Sequence, residues 1–295
     1  MKDEWKAYWK IHLAVLAFAF TAILGAVISL PALTLVWWRV MIAGIGLTYF
    51  TKGISFLKYI STPDKLRFTG IGSLIAIHWL AFFAAVKIAG ASVCLICMAT
   101  TCIFVSIVEP RILKQSFNRL NFILALCIIP GMYLVVQSVG AAKYTGIAVG
   151  LFSAFLAGVF SSLNKKYIHQ VTVWQMSWIE MWSAFITLSI VIGGYTLFYG
   201  NIAWRPNIHD WFYLLILGIV CTTLAHALSL FALRHISAFA LNLVINLEPV
   251  YGIILAALIL SENKNLSIRF YTGAALIVVS VFLYPYLQKR YTRAI

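Results

Sequence analysis

The stretch GIGSLIAIHWLAFFAAVKIAG (residues 70–90) returns in altered form as GIVCTTLAHALSLFALRHISA (residues 218–238). At an offset of 148, Gly70 meets Gly218, His78 meets His226, Phe83 meets Phe231, Ala84 meets Ala232 and Ile88 meets Ile236. That offset is half of a 295-residue chain, as expected if each half carries one copy of a structural unit. Apolar helices share some identities by chance, so the weight of the match depends on its surroundings.

Apolar runs long enough to cross ~30 Å of hydrocarbon recur on both sides of it, at about 11–30, 33–50, 68–87, 91–110, 120–138, 145–164, 172–198, 211–233, 237–260 and 269–287. Their length predicts helices, because a barrel strand needs only ~9–11 alternating residues. The composition agrees, with 63% apolar and 10% charged residues, where a soluble domain carries ~25% charged. An ordinary soluble enzyme, a disordered chain and a small secreted scaffold are thereby excluded. The matched segments are the third and eighth runs, giving five crossings per half. A unit with an odd number of crossings enters the membrane in the opposite sense the second time. The expected fold is therefore all-α and polytopic: ten transmembrane helices as two inverted five-helix repeats, with halves 1–142 and 143–295.

The first run has the basic start of a signal peptide (Lys2, Lys6, Lys10), but it exceeds the ~7–15 apolar residues expected and further spans follow. It is read as a first span. The net charge of +14 comes from 22 Lys+Arg against 8 Asp+Glu. On a soluble protein that excess suggests nucleic acid. Here 16 of the 22 cations fall on the N-terminus, the even connectors and the C-terminus (Lys289, Arg290, Arg293), five on the odd connectors, and Arg39 inside a span. Short cytoplasmic loops collect Lys and Arg, so both termini are expected in the cytoplasm, in an inner or plasma membrane. The bilayer is the partner implied, not nucleic acid.

All five cysteines lie inside spans, so no disulfide framework is implied. Cys94 and Cys97 spell C-x-x-C without a second pair, and read as small residues on a buried helix face. The chain has no phosphate-cradling G-x-x-x-x-G-K-[ST], no H-E-x-x-H and no G-x-S-x-G. Of its acidic residues only Glu180 and Glu248 lie deep, too few to hold a metal. No catalytic residue, metal or cofactor is expected. A secondary carrier is favoured over an intramembrane enzyme acting on lipid and over a non-transporting scaffold, since a scaffold has little reason to bury charge.

Three further stretches carry a resemblance: Arg39-x-x-x-Ala43 in the second span, HWLAFFAAVKIAGAS (78–92) in the third, and Glu248-Pro249-Val250-Tyr251-Gly252 followed by Leu260-Ser261-Glu262 in the ninth. With them the chain resembles EamA-type transporters of the drug/metabolite transporter superfamily over essentially its whole length. The resemblance implies a ten-helix, inverted-repeat carrier of amino-acid-like or other small metabolites, with export favoured. Proton coupling and facilitated diffusion both stay open. One departure stands out: Thr100-Thr101 occupy the place in the fourth span where the ninth has Glu248-Pro249.

A charge at mid-membrane costs about 2.5–3.5 kcal/mol, so it persists where it pairs or meets water. This makes Glu248, Glu180, Arg39 and His226 candidates for the substrate or proton site. Pro249 removes a backbone donor beside Glu248 and leaves the Ile245 carbonyl in need of a partner, the mark of a half-helix site. Asn242 and Asn246 share one helix face. Glu248 points about 200° from Asn246 on a continuous helix, so the Asn pair and Glu248 line one cavity only if the helix unwinds at Pro249. Trp174, Trp178 and Trp182 form a stripe facing either lipid or a cavity, with Glu180 on the opposite side. Arg39 and Glu180 occupy nearly equivalent places in the two halves and are expected to pair in one access state. His226 shares a face with Thr222 and Ser229. Pro249 and Pro130, the latter followed by Gly131, are the candidate hinges.

Overall fold

The computed structural model describes residues 2–279. The C-terminal cations and residues 280–287 of the tenth run lie outside the described residues. Every regular element among the described residues is helical. The chain runs through α1 (Lys2–Val27), α2 (Ala32–Phe50), α3 (Thr62–Ala89), α4 (Ala91–Ala99), α5 (Thr101–Leu113), α6 (Arg119–Leu126), α7 (Ile128–Ser138), α8 (Tyr144–Tyr167), α9 (Val173–Tyr199), α10 (Ile208–Leu215), α11 (Ala225–Leu233), α12 (Ala238–Ile245) and α13 (Glu248–Ile259). A last apolar helix, α14, covers Ile268–Val279. Among the described residues nine spans are long and apolar enough to cross a membrane, and α14 occupies the place of the tenth. These spans follow the expected runs closely. The third begins earlier than the expected 68, at Thr62, because Ser61 caps it by accepting from the Asp64 amide at 3.2 Å.

Several spans are built from two pieces. Span four breaks at Thr100, whose amide (3.1 Å) and hydroxyl (2.7 Å) both donate to the Cys97 carbonyl. That tight turn ends α4 without a proline. Span nine breaks at Asn246 and Leu247, just ahead of Pro249 in the first turn of α13, where a missing N–H costs no helical bond. Span five breaks at Cys127, and Pro130 falls in the first turn of α7. Next to it, a Cβ on Gly131 would stand 2.6 Å from the Gly273 carbonyl oxygen, so α7 and α14 approach backbone to backbone. Span eight contains a π-helical stretch, Ile216–Leu224, between α10 and α11.

The principal packing joins the two halves: α3 lies on α8 and α9, α1 on α11 and α13, α5 on α8, and α2 on α9 and the π-helical stretch. Spans four and nine run antiparallel, the end of each beside the start of the other. The tryptophan stripe of α9 packs on α2: Trp174 stacks on Phe50 at 4.4 Å, the Trp178 indole N–H donates to the Thr48 hydroxyl at 2.8 Å, and Trp182 lies against Gly44. It is a helix-packing seam, which neither of the two expected roles described.

Candidate functional site

Where α1, α2, α3, α8, α11 and the two pieces each of spans four and nine converge, they line a cavity of about 100 Å³. Arg39, His78, Trp79, His226, Asn242 and Glu248 contribute its polar and aromatic lining, and Phe18, Phe82 and Phe160 its apolar walls.

Arg39 is 1% exposed. Its Nε donates to the Thr222 hydroxyl at 2.6 Å and its Nη2 to the Cys221 carbonyl at 3.4 Å. Both acceptors belong to the π-helical stretch, where Thr222 in turn donates to the Leu217 carbonyl, five residues back, at 2.6 Å. A local i→i+5 pattern of this kind turns carbonyls and hydroxyls away from ordinary helical pairing, and π-bulges recur at functional sites for that reason. The guanidinium also lies over the Trp79 ring, 4.0 Å from its centre. Its Nη1 has no hydrogen-bond partner among the described residues.

Glu248, 7% exposed, lies on the cavity wall and makes no hydrogen bond to any described residue. It opens α13, so its direction is set by the break before Pro249 and not by the geometry of one continuous helix. The break thus allows Asn242 on α12 and Glu248 on α13 to line the same cavity, the condition under which the sequence permitted it. The Asn242 amide donates to the Ser161 hydroxyl at 3.0 Å and to its own helix at Ala238.

Asn246 takes a different place. Its amide donates to the Ala99 carbonyl and to Cys102 Sγ, each at 3.2 Å. Ala99 ends α4, so Asn246 ties the break of span nine to the break of span four and lies off the cavity lining. Glu180 is also off the lining. Fully buried on α9, it holds His226 Nε2 with Oε2 at 2.7 Å, while its Oε1 has no partner. His226 is the cavity-facing member of that pair, and the Ser229 hydroxyl donates to its carbonyl at 2.7 Å. The expected Arg39–Glu180 pair is absent from this conformation, because α11 inserts His226 before Glu180 and the π-helical stretch engages Arg39.

His78 and Trp79 were not singled out by sequence reasoning. His78 Nδ1 lies 2.8 Å from the Ser153 hydroxyl and 2.9 Å from its carbonyl on α8. The offset of 148 that pairs His78 with His226 is the sequence signal for it. Among the described residues no group of three or more His, Cys, Asp or Glu side chains could hold a metal ion.

The arrangement offers a buried guanidinium edge and an unbonded carboxyl across one small aromatic-walled space, with a His–Glu pair behind it. No curated protein sequence matches the chain. A solved structure described as "Crystal structure of protein" matches at a TM-score of 0.71 and 15% identity, covering 96% of this chain and 98% of that one, a likeness of fold. The EamA-like transporter family matches twice, over residues 5–137 and 144–285. This multi-pass membrane protein belongs to the EamA-like transporter family.

Proposed function

We propose that the chain is a secondary carrier that moves a small organic solute by alternating access around the central cavity, with export as its direction. The observation that carries this reading is that two opposite charges line one cavity, Arg39 with its Nη1 unpartnered among the described residues and Glu248 with no hydrogen bond to a described residue. Buried charges whose hydrogen bonding is incomplete are costly and are kept where a ligand completes it. Together they complement a solute with separated negative and positive ends, such as an amino acid, while Trp79, Phe82 and Phe160 accept its apolar part. The volume of about 100 Å³ is well below the roughly 300–1,000 Å³ of drug-sized pockets. It favours a small metabolite over a bulky drug-like solute.

In this reading halves 1–142 and 143–295 rearrange around the site, with Pro249 and Pro130 as hinges. The positive fringe supports cytoplasmic termini in an inner or plasma membrane. Protons are candidate co-substrates, with Glu248 as the carrier group. Purified protein in proteoliposomes tests both points. Exchange of a labelled zwitterionic amino acid that stops in Arg39→Ala supports the site, and absence of flux for every zwitterion tried refutes it. A wild-type flux that ignores an imposed pH gradient removes Glu248 as a coupling group; a response lost in Glu248→Gln supports it.

A further inference from the structure

Outside the cavity, two carboxylates make the same contact at opposite ends of one helix pair. Glu109, in the last turns of span four, accepts from the amides of Ala238 at 2.7 Å and Phe239 at 2.8 Å, the first two of span nine. Glu262, just past the end of span nine, accepts from the amides of Ala91 and Ser92 at 3.0 Å each and from the Ser92 hydroxyl at 2.5 Å, the first two residues of span four. The opening amides of a helix have no partner within it and carry the positive end of its dipole, so a carboxylate there makes strong, charge-assisted bonds.

Such caps ordinarily come from the residue that opens the helix. Here α12 already has one, since the Ser237 hydroxyl accepts from the Ala240 amide at 3.0 Å. By contrast α4 opens on Gly90, which has no side chain to offer. Gly90 stands at φ +97, and a Cβ there would lie 3.1 Å from Glu262 Oε1, so the glycine both makes the turn and admits the carboxylate. Each cap is supplied across more than 120 residues by the other half. A bond of that kind breaks whenever those two helix ends separate. Spans four and nine also both break near their middles, and Asn246 and Ala99 join the two breaks. The segments being held, α4 and α12, are therefore short levers of 9 and 8 residues pivoting at that joint.

Because spans four and nine are antiparallel, the two clasps lie at opposite membrane faces, and both are shut in this structure. We propose that Glu109 and Glu262 are the two gate clasps of the carrier: the cavity opens to one face when the clasp there releases its half-helix while the other stays closed. This rests on the carrier reading above.

The test places a thiol at Met98, a residue of the cavity lining, as Met98→Cys, and measures its labelling by a membrane-impermeant maleimide in sealed vesicles of known sidedness, scored at residue 98 itself by fragment mass, apart from the native Cys94, Cys97 and Cys102. From the face carrying residue 262, Glu262→Gln should speed labelling about tenfold, as loss of a charged hydrogen-bonded contact allows, and Glu109→Gln should not. From the opposite face the order should reverse. Equal rates in both variants, or acceleration from both faces by each, overturns the clasps. Where a Gln variant fails to fold, Asp at the same position shortens the reach with the charge kept, and the same directions are expected on a smaller scale. Solute flux in the same vesicles separates the two readings. Reciprocal labelling without flux refutes the carrier and supports the clasps, whereas flux without reciprocity refutes the clasps alone.

Discussion

His226 Nε2 and Glu180 Oε2 lie 2.7 Å apart, a contact buried behind the cavity wall and joining α11 to α9. It links the cavity-facing ring to a carboxylate that makes no other described hydrogen bond, its second oxygen lacking any partner. Removing either member leaves the other buried without that partner, and removing both leaves neither so.

This gives a double-mutant prediction. Glu180→Ala and His226→Ala should each lower thermal stability in detergent, and the double variant should lose less than their sum, with a coupling of about 1–3 kcal/mol. The same cycle run on Arg39→Ala and Glu180→Ala should be close to additive, since no hydrogen bond or ion pair joins these two described residues. A coupling of equal size in the second cycle would restore the Arg39–Glu180 pair as the dominant partnership.

Arg39 should not tolerate lysine. The planar guanidinium bonds Thr222, reaches Cys221 and stacks on Trp79 while leaving Nη1 free. An ammonium cannot hold all of these contacts at once. Arg39→Lys is expected to raise the KM for a zwitterionic solute tenfold or more in proteoliposome uptake. Thr222→Val, which removes only the acceptor that orients the guanidinium, should give a smaller shift in the same direction. Unchanged kinetics in both would place the solute elsewhere.

Glu248 should separate function from stability. It makes no described hydrogen bond, so its conversion to Gln removes one buried charge together with that charge's attraction to Arg39, and the two changes offset in stability. Glu248→Gln is expected to leave the melting temperature unchanged or raised and to weaken zwitterion binding by tenfold or more. Thermal-shift titration reads both quantities on one sample. A fall in melting temperature comparable to that of Glu180→Ala would identify Glu248 as a structural group.

The spans were legible because run length and charge placement report directly on the membrane as solvent. Pro249 announced the break in span nine, while Thr100 did not announce the one in span four. A Thr–Cys turn leaves no compositional mark, although the half-chain offset sets Thr100 opposite Glu248. Angles along one helix place Glu180 and Trp178 on opposite sides, but they do not say which helix lies beyond each side. Glu180 therefore met His226 rather than Arg39, and the tryptophans met α2. The angle between Asn246 and Glu248 holds for one continuous helix only; the chain breaks between them, and Asn246 faces α4 while Glu248 faces the cavity. Glu109 and Glu262 carried no depth signal, because their partners are backbone amides.

The joint between the two breaks should respond to changes on either side of it. Asn246 satisfies the Ala99 carbonyl where α4 ends, so Asn246→Leu leaves that buried oxygen unpaired, at a cost of about 1–3 kcal/mol. Pro249→Ala acts the other way. It restores a backbone N–H where α12 and α13 meet and lets span nine run on as one helix. The continuous helix would turn Glu248 about 120° from Asn242, six residues on at ~100° each. Pro249→Ala is therefore expected to keep or raise thermal stability while lowering transport at least tenfold. Asn246→Leu should lower both. The contrast is read from melting curves and initial uptake rates on the same preparations. Full transport in Pro249→Ala would show that the break is not needed for the site.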